Sequence, residues 1–265
     1  MCIVVYKPKE IKFPTEEVLR TCFENNPDGA GFMYPSKDGV HIHKGFMSFK
    51  EFDKAIAPFK DKQIPMVMHF RISTHAGITP EMTQPFPVTN KTRKLKALDS
   101  VARVGVAHNG IISMTSDATK ISDTALFIKR YMSMLVKDGK YYKDKRIAEM
   151  INKMIGSKMA VLSKDGHVEL IGKGWERGED GMWYSNDTYL PWDWETYYKG
   201  LSKGYKDYYN YYNDYFDTDD GEAPWELSKE EREEWREYRD TCEMRSATDG
   251  ASCYGCVYEE ACMSV

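Results

Sequence analysis

Apolar residues recur along this chain with two different periods, and the switches between them divide it into elements. Ile3-Val4-Val5 is a short β-branched run, so residues 2–6 are predicted as a buried strand. From Thr15, the residues Val18, Leu19, Cys22 and Phe23 fall on one helical face up to Glu24. Asn25-Asn26-Pro27-Asp28-Gly29 is a turn in which Pro27 stops that helix. Strands are predicted over 30–34 and 40–46, joined by the hairpin turn Pro35-Ser36-Lys37-Asp38-Gly39. Helical spacing returns over 49–59, and strands follow at 66–72 and within 103–112. A helix opening at Ser122 and running to Leu135 places Ala125, Leu126, Ile128, Tyr131 and Leu135 on its apolar face. A further helix is predicted over 147–155, and strands 159–162 and 167–171 close a hairpin across Lys164-Asp165-Gly166.

Hairpin-connected strands with helices packed outside predict an α+β layered domain rather than alternating βαβ units. No Gly-rich dinucleotide or phosphate loop and no internal repeat is present. The periodicity ends near residue 190. Eight tyrosines between Tyr197 and Phe216, mixed with Lys, Asp, Asn and Gly, follow neither period and read as a linker. Ser228-x-x-Glu231 is a capping box opening a charged helix to about Thr241, and four of the six cysteines lie beyond it. The expected organisation is a domain at 1–190, a Tyr-rich linker at 191–226, and an acidic helix with a Cys-rich tail at 227–265.

Composition narrows the class. Apolar content of 42% and charged content of 29% are those of a globular protein. No apolar run approaches the ~18–20 residues of a membrane span, and Lys7-Pro8-Lys9-Glu10 follows the opening run too soon for an export signal. A cytoplasmic location is therefore expected, with cysteines reduced or metal-bound. The net charge of −4 conceals 11 acidic and 4 basic residues between Asp217 and Asp240, which leaves +3 on the rest. The basic run Lys91-Thr92-Arg93-Lys94-Leu95-Lys96 is expected to be a solvated loop. Tyrosines beside lysines suit base stacking, but the basic groove that single-strand binding needs is missing, so nucleic acid is not an expected partner.

Several stretches place polar residues where a core does not need them. Cys2 follows the initiator Met1. It is either a small buried thiol opening a strand or, once Met1 is removed, a residue carrying both a nucleophile and an α-amine base. In His69-Phe70-Arg71-Ile72-Ser73-Thr74-His75, alternation points His69, Arg71 and Ser73 away from Phe70 and Ile72. Arg71 then serves either a structural ion pair or bidentate binding of a carboxylate. His108-Asn109-Gly110 reads as a hairpin turn or, given its apolar flanks, as an oxyanion hole built from a side-chain amide and a backbone N–H. Ser122-Asp123-Thr124 reads as a helix cap or as a carboxylate for a substrate ammonium. The glycines of Asn26-Pro27-Asp28-Gly29-Ala30-Gly31-Phe32 serve a turn or the close approach of a small ligand.

Taken in order, Cys2, Asn-Pro-Asp-Gly-x-Gly-Phe, His-x-Arg-x-Ser-Thr-His, Gln84-Pro85-Phe86, His-Asn-Gly and Ser-Asp-Thr resemble the glutaminase domain of class II glutamine amidotransferases. These belong to the N-terminal-nucleophile hydrolases. The similarity extends from Cys2 to about Asn186 and includes Trp183-Tyr184-Ser185-Asn186. It implies a four-layer αββα sandwich and a cysteine that attacks the side-chain amide of L-glutamine. Cys2, Asn109 and Gly110 would be catalytic, and Arg71, Asp123, Thr74 and His75 would bind substrate. No catalytic cofactor is implied. Ala125 stands where relatives carry Glu, and Ala76 is an extra residue after His75.

About 75 residues follow the domain, too few for a nucleotide-binding synthase. The ammonia is expected to pass to a separate acceptor enzyme. The alternatives are a stand-alone γ-glutamyl amide hydrolase, or a non-catalytic glutamine-sensing or scaffold module. Cys242, Cys253, Cys256 and Cys262, spaced C-x10-C-x2-C-x5-C, have the ligand count of a structural zinc site, with an iron–sulfur cluster or four free thiols as the other readings.

Overall fold

The computed structural model describes residues 2–72, 78–114, 121–136 and 144–191. Its strands are β1 (Ile3–Lys7), β2 (Ala30–Pro35), β3 (Val40–Phe46), β4 (Met66–Phe70), β5 (Phe86–Pro87), β6 (Asp99–Ala102), β7 (Val104–Asn109), β8 (Lys158–Ser163), β9 (Val168–Ile171), β10 (Glu176–Arg177) and β11 (Trp183–Tyr184). The helices are α1 (Glu16–Glu24), α2 (Phe49–Ile56), α3 (Thr92–Lys96), α4 (Asp123–Phe127), α5 (Ser133–Leu135) and α6 (Lys145–Ile155). Among the described residues the strands form two antiparallel sheets, ordered β10-β11-β1-β4-β2-β3-β6 and β5-β7-β8-β9. The fold class is α+β.

Side-chain alternation distributes each strand between two cores. Ile3 and Val5, with Met66, Met68 and Phe70, pack against Leu19, Cys22 and Phe23 of α1 and Phe52 and Ile56 of α2. Val4 and Val67, pointing the other way, join Met33, Val40 and Ile42 against Ala107, Ala160 and Leu162 of the second sheet. Val104, Val106, Met159 and Val161 face Ala125, Phe127, Ile128, Ile151 and Ile155 of the second helical group. Gly105 allows the sheets to approach: a Cβ there would lie 2.5 Å from Sδ of Met33.

The helix ends follow their chemistry. Thr15 caps α1 through Val18 N–H, and Ser48 and Glu51 form a reciprocal capping box on α2. Gly156, at φ +59°, ends α6 in the left-handed conformation.

Three expectations need correction. Residues 91–96 are not a solvated loop: Thr92–Lys96 is a short helix whose Leu95 is fully buried and anchors it. The helix beginning at Ser122 is not uniform, because Ile128–Met132 is a π turn between α4 and α5. Five successive buried residues, Thr124 to Ile128, overfill an α-helical stripe, and the wide turn re-phases it so that Met132 and Val136 are buried as well. The strand predicted over 66–72 ends at Phe70, since Arg71 bonds instead to the turn at 28–29. The short strands β5, β6 and β10 have too few residues to display a period and were not predicted. Among the described residues no helix is long and apolar enough to cross a membrane.

Candidate active site

Of the residues singled out above, Cys2, Arg71 and Asn109-Gly110 lie at or just beyond strand ends, and the alternation already described brings them to one place. Val4 and Val67 face the gap between the sheets, so Cys2 and His69, two residues away from each, fall on the same side, and Arg71 continues that pattern beyond the strand. On β7, Ala107 faces this gap and Asn109 follows it, whereas His108 points with Val106 toward α4. The antiparallel register pairs Ile3 with Phe70, which sets Cys2 beside Arg71 and Ile72.

Cys2 is held by three hydrogen bonds on two of its atoms. Its Sγ donates to the carbonyl of Ile72 at 3.3 Å and receives the Ile72 N–H at 3.4 Å. Its own carbonyl accepts from Nδ2 of Asn186 at 2.8 Å. Burial pushes the Cys2 thiol up, opposed by the Ile72 N–H and the Arg71 charge. The resting group is thus a thiol that needs a base. Arg71 is 6% exposed, its N–H bound to Gly29 O and its carbonyl to Asp28 N–H.

Asn109 and Gly110 do not form a hairpin; β7 pairs with β5 and β8, and an irregular segment follows Gly110. Gly110 has φ +144°, and a Cβ on it would lie 2.4 Å from Cβ of Ser157, so only glycine fits. The Asn109 amide lies 2.9 Å from Oγ of Ser185, which also receives Val4 N–H at 2.8 Å.

Asp123 is the first residue of α4, and Ser122 is the cap, accepting from Ala125 N–H at 3.3 Å. The Asp123 carboxylate accepts from Ile112 N–H and Thr124 N–H, both at 2.7 Å. It therefore pins the segment that follows Gly110, and lone pairs remain on both oxygens. Gly29 and Gly31 approach protein rather than a ligand: added Cβ atoms would lie 2.6 Å from Cγ2 of Thr83 and 2.4 Å from the carbonyl of Gln84. Thr74 and His75, the Tyr-rich segment and Cys242, Cys253, Cys256 and Cys262 lie outside the described residues. Among those described, no group of three or more His, Cys, Asp or Glu side chains is arranged to hold a metal ion.

Structure adds residues that no motif marked as functional. Gln84 grips the His108 backbone from both sides, accepting its N–H at 2.8 Å and donating to its carbonyl at 3.3 Å. The His108 ring bridges Oγ1 of Thr124 (3.0 Å) and Oγ of Ser157 (2.7 Å). Lys44, nearly fully buried, donates to the carbonyls of Glu81 and Leu95 and sits 3.9 Å above the Phe86 ring, tying together the two loops around Gln84. Ser185 and Asn186 reach Val4, Asn109 and Cys2 from beyond β11. In the sequence, Gln84, His108, Ser185 and Asn186 fall inside stretches that carry the resemblance but have no role of their own there, and Lys44 is only a polar residue within an apolar alternation.

His69 and His108 are both buried. Burial pushes them down to about 3 and about 4, despite a carbonyl partner for His69 and the nearby Asp123 carboxylate for His108. In the unfolded chain each titrates near 6.5, so between that value and the folded one the unfolded state binds more protons. Stability from these groups is present in full above pH 6.5 and is lost as the pH falls. By pH 5 each should cost about 2 kcal/mol. Urea midpoints measured from pH 7 to 5 should fall, and His108→Gln should flatten the slope; a midpoint constant over this interval would contradict the buried neutral histidines.

No protein-family model and no curated protein matches the chain.

Proposed function

We propose that the chain is a glutaminase of the class II glutamine amidotransferase type, with the four-layer αββα fold of the N-terminal-nucleophile hydrolases. The observation that carries the reading is the convergence of three strand ends, bearing Cys2, Arg71 and Asn109-Gly110, at one end of the gap between the sheets. The three apolar cores described above, helices on sheet, sheet on sheet and sheet on helices, are those a four-layer sandwich would bury.

In this reading, loss of Met1 frees the Cys2 α-amine. The amine takes the thiol proton, and Sγ attacks the side-chain amide carbon of glutamine. Charge develops on the carbonyl oxygen, where the Gly110 N–H and the Asn109 amide donate to it. Collapse breaks the C–N bond and expels ammonia with the proton, leaving a γ-glutamyl thioester that water hydrolyses to glutamate. Arg71 holds the substrate α-carboxylate and Asp123 its α-ammonium, with Thr74 and His75 on the substrate loop. The ammonia goes to a separate acceptor enzyme, and the reaction needs no cofactor. Zinc in the C-terminal cysteines is a structural proposal only, tested by metal content of protein purified without added zinc.

The test is to incubate protein of verified mass, lacking Met1, with glutamine and with a panel of γ-glutamyl amides, and to measure glutamate. Release from glutamine supports the reading, and a rise on adding a co-purified partner supports ammonia delivery. Preference for other γ-glutamyl amides would favour the stand-alone hydrolase. No release, with no labelling of Cys2 by a glutamine-like electrophile, would leave only a non-catalytic role.

A further inference from the structure

The Asn109 amide presents an imbalance. With Nδ2 toward Ser185, the Ser185 oxygen accepts twice, from Nδ2 at 2.9 Å and from Val4 N–H at 2.8 Å. Its own proton then finds no acceptor among the described residues, and Oδ1 of Asn109 is buried with no partner. Ser185 is fully buried and Asn109 is 5% exposed, so bulk solvent contributes little and the two side chains depend on one another for partners. Oxygen and nitrogen of a side-chain amide are told apart by their hydrogen-bond network, and rotating this amide by half a turn repairs the network. The Ser185 hydroxyl then accepts from Val4 N–H and donates to Oδ1, and Nδ2 takes the place of the orphaned oxygen. The unpaired atom becomes a donor, which is the polarity a developing oxyanion requires.

We propose that Ser185 is a positioning residue whose hydroxyl donates to Oδ1 of Asn109 and so turns the Asn109 NH2 group toward the oxyanion. The residue is itself locked for this task. Its N–H donates to the carbonyl of Val4, closing a two-way bridge with Val4 N–H, and its carbonyl accepts from Nζ of Lys158, which lies opposite Asn109 in the β7–β8 register. Asn186 next to it holds the carbonyl of Cys2. One dipeptide thus sets the backbone of the nucleophile and the orientation of the amide that stabilises the product of its attack.

The inference rests on the glutaminase reading for its catalytic consequence, but not for the orientation of the amide, and the experiments separate the two. Neutron diffraction from perdeuterated protein places the hydroxyl deuterium directly. Deuterium on Ser185 Oγ aimed at Asn109 supports the proposal; two amide deuteriums flanking Nδ2, one of them aimed at Ser185, overturn it. This holds whether or not the protein turns over glutamine. In an active enzyme, Ser185→Ala should lower kcat about 10- to 100-fold with KM within about twofold, less than the ~10²–10³ expected for removing an oxyanion donor outright. Alkylation of Cys2 by iodoacetamide, which needs no oxyanion hole, should be unchanged. Combined with Asn109→Ala, Ser185→Ala should add nothing further, because it acts through that side chain. Ser185→Thr keeps the hydroxyl and should retain activity. Multiplicative losses in the double variant, or a raised KM at unchanged kcat, would overturn the proposal.

Discussion

If the chain is the proposed glutaminase, Cys2→Ala should eliminate glutamate release, a loss of about 10⁴-fold or more, while leaving the fold intact. The contacts that hold this end of β1 are on the main chain: the Cys2 carbonyl with Asn186, and both polar groups of Val4 with Ser185. Alanine preserves all of them and removes only Sγ and its two bonds to Ile72. Melting temperature should therefore change little while turnover disappears. The companion expectation concerns processing. While Met1 is retained, the Cys2 nitrogen is a peptide nitrogen and cannot accept a proton. The thiol, already raised by burial, then has no adjacent base. Protein blocked in Met1 removal should match Cys2→Ala in turnover yet still be alkylated by iodoacetamide, though slowly. Glutamate release that survives Cys2→Ala would sink the assignment.

The second large effect is expected at Gly110. Alanine at φ +144° sits in a region that side chains rarely adopt, at a cost of roughly 1–3 kcal/mol. Its methyl would also lie 2.4 Å from Cβ and 2.8 Å from Oγ of Ser157, with Nε2 of His108 at 3.3 Å. Ser157 cannot yield without releasing the His108 ring, which it holds at 2.7 Å. Overpacking adds about 1–3 kcal/mol. At roughly 2–4 °C per kcal/mol, Gly110→Ala should melt about 4–24 °C lower. Displacing the Gly110 N–H by even 1 Å should reduce kcat about 10²-fold. Gly156→Ala is the control: φ is +59° and nothing lies within 4 Å of the added methyl, so it should cost about 1 kcal/mol and no activity. Equal behaviour of the two variants would remove the steric argument.

Much of the fold was legible because it repeats. Strands β1 to β4, β7 and β8, and helices α1, α2 and α6, each span enough residues to display a period of two or 3.6, and hairpin turns such as 35–39 and 164–166, the latter leading into β9, have their own chemistry. The strands of two or four residues had no period to read, and the basic composition of 91–96 concealed that one leucine, Leu95, carries the segment inward. The π turn after α4 arises from crowding against the second sheet, which a helical wheel does not contain.

For the site, the sequence by itself determined the reactive groups: a thiol at the second residue, an arginine beyond an apolar strand, an Asn-Gly pair between apolar neighbours and an aspartate at a helix start. The parity of each strand even decided which side each group would take, since alternate residues share a face. Only the tertiary structure decided their company. Register is set by pairing across the sheets, so it alone brings Cys2 beside Ile72 and Arg71, and turns Asp123 onto Ile112 N–H. It alone brings Ser185, 76 positions from Asn109, into contact with that amide. A hydroxyl or an amide has no periodicity and no fixed role. Its function depends on which donor or acceptor folding leaves within 3 Å, and that information is spread over the whole chain.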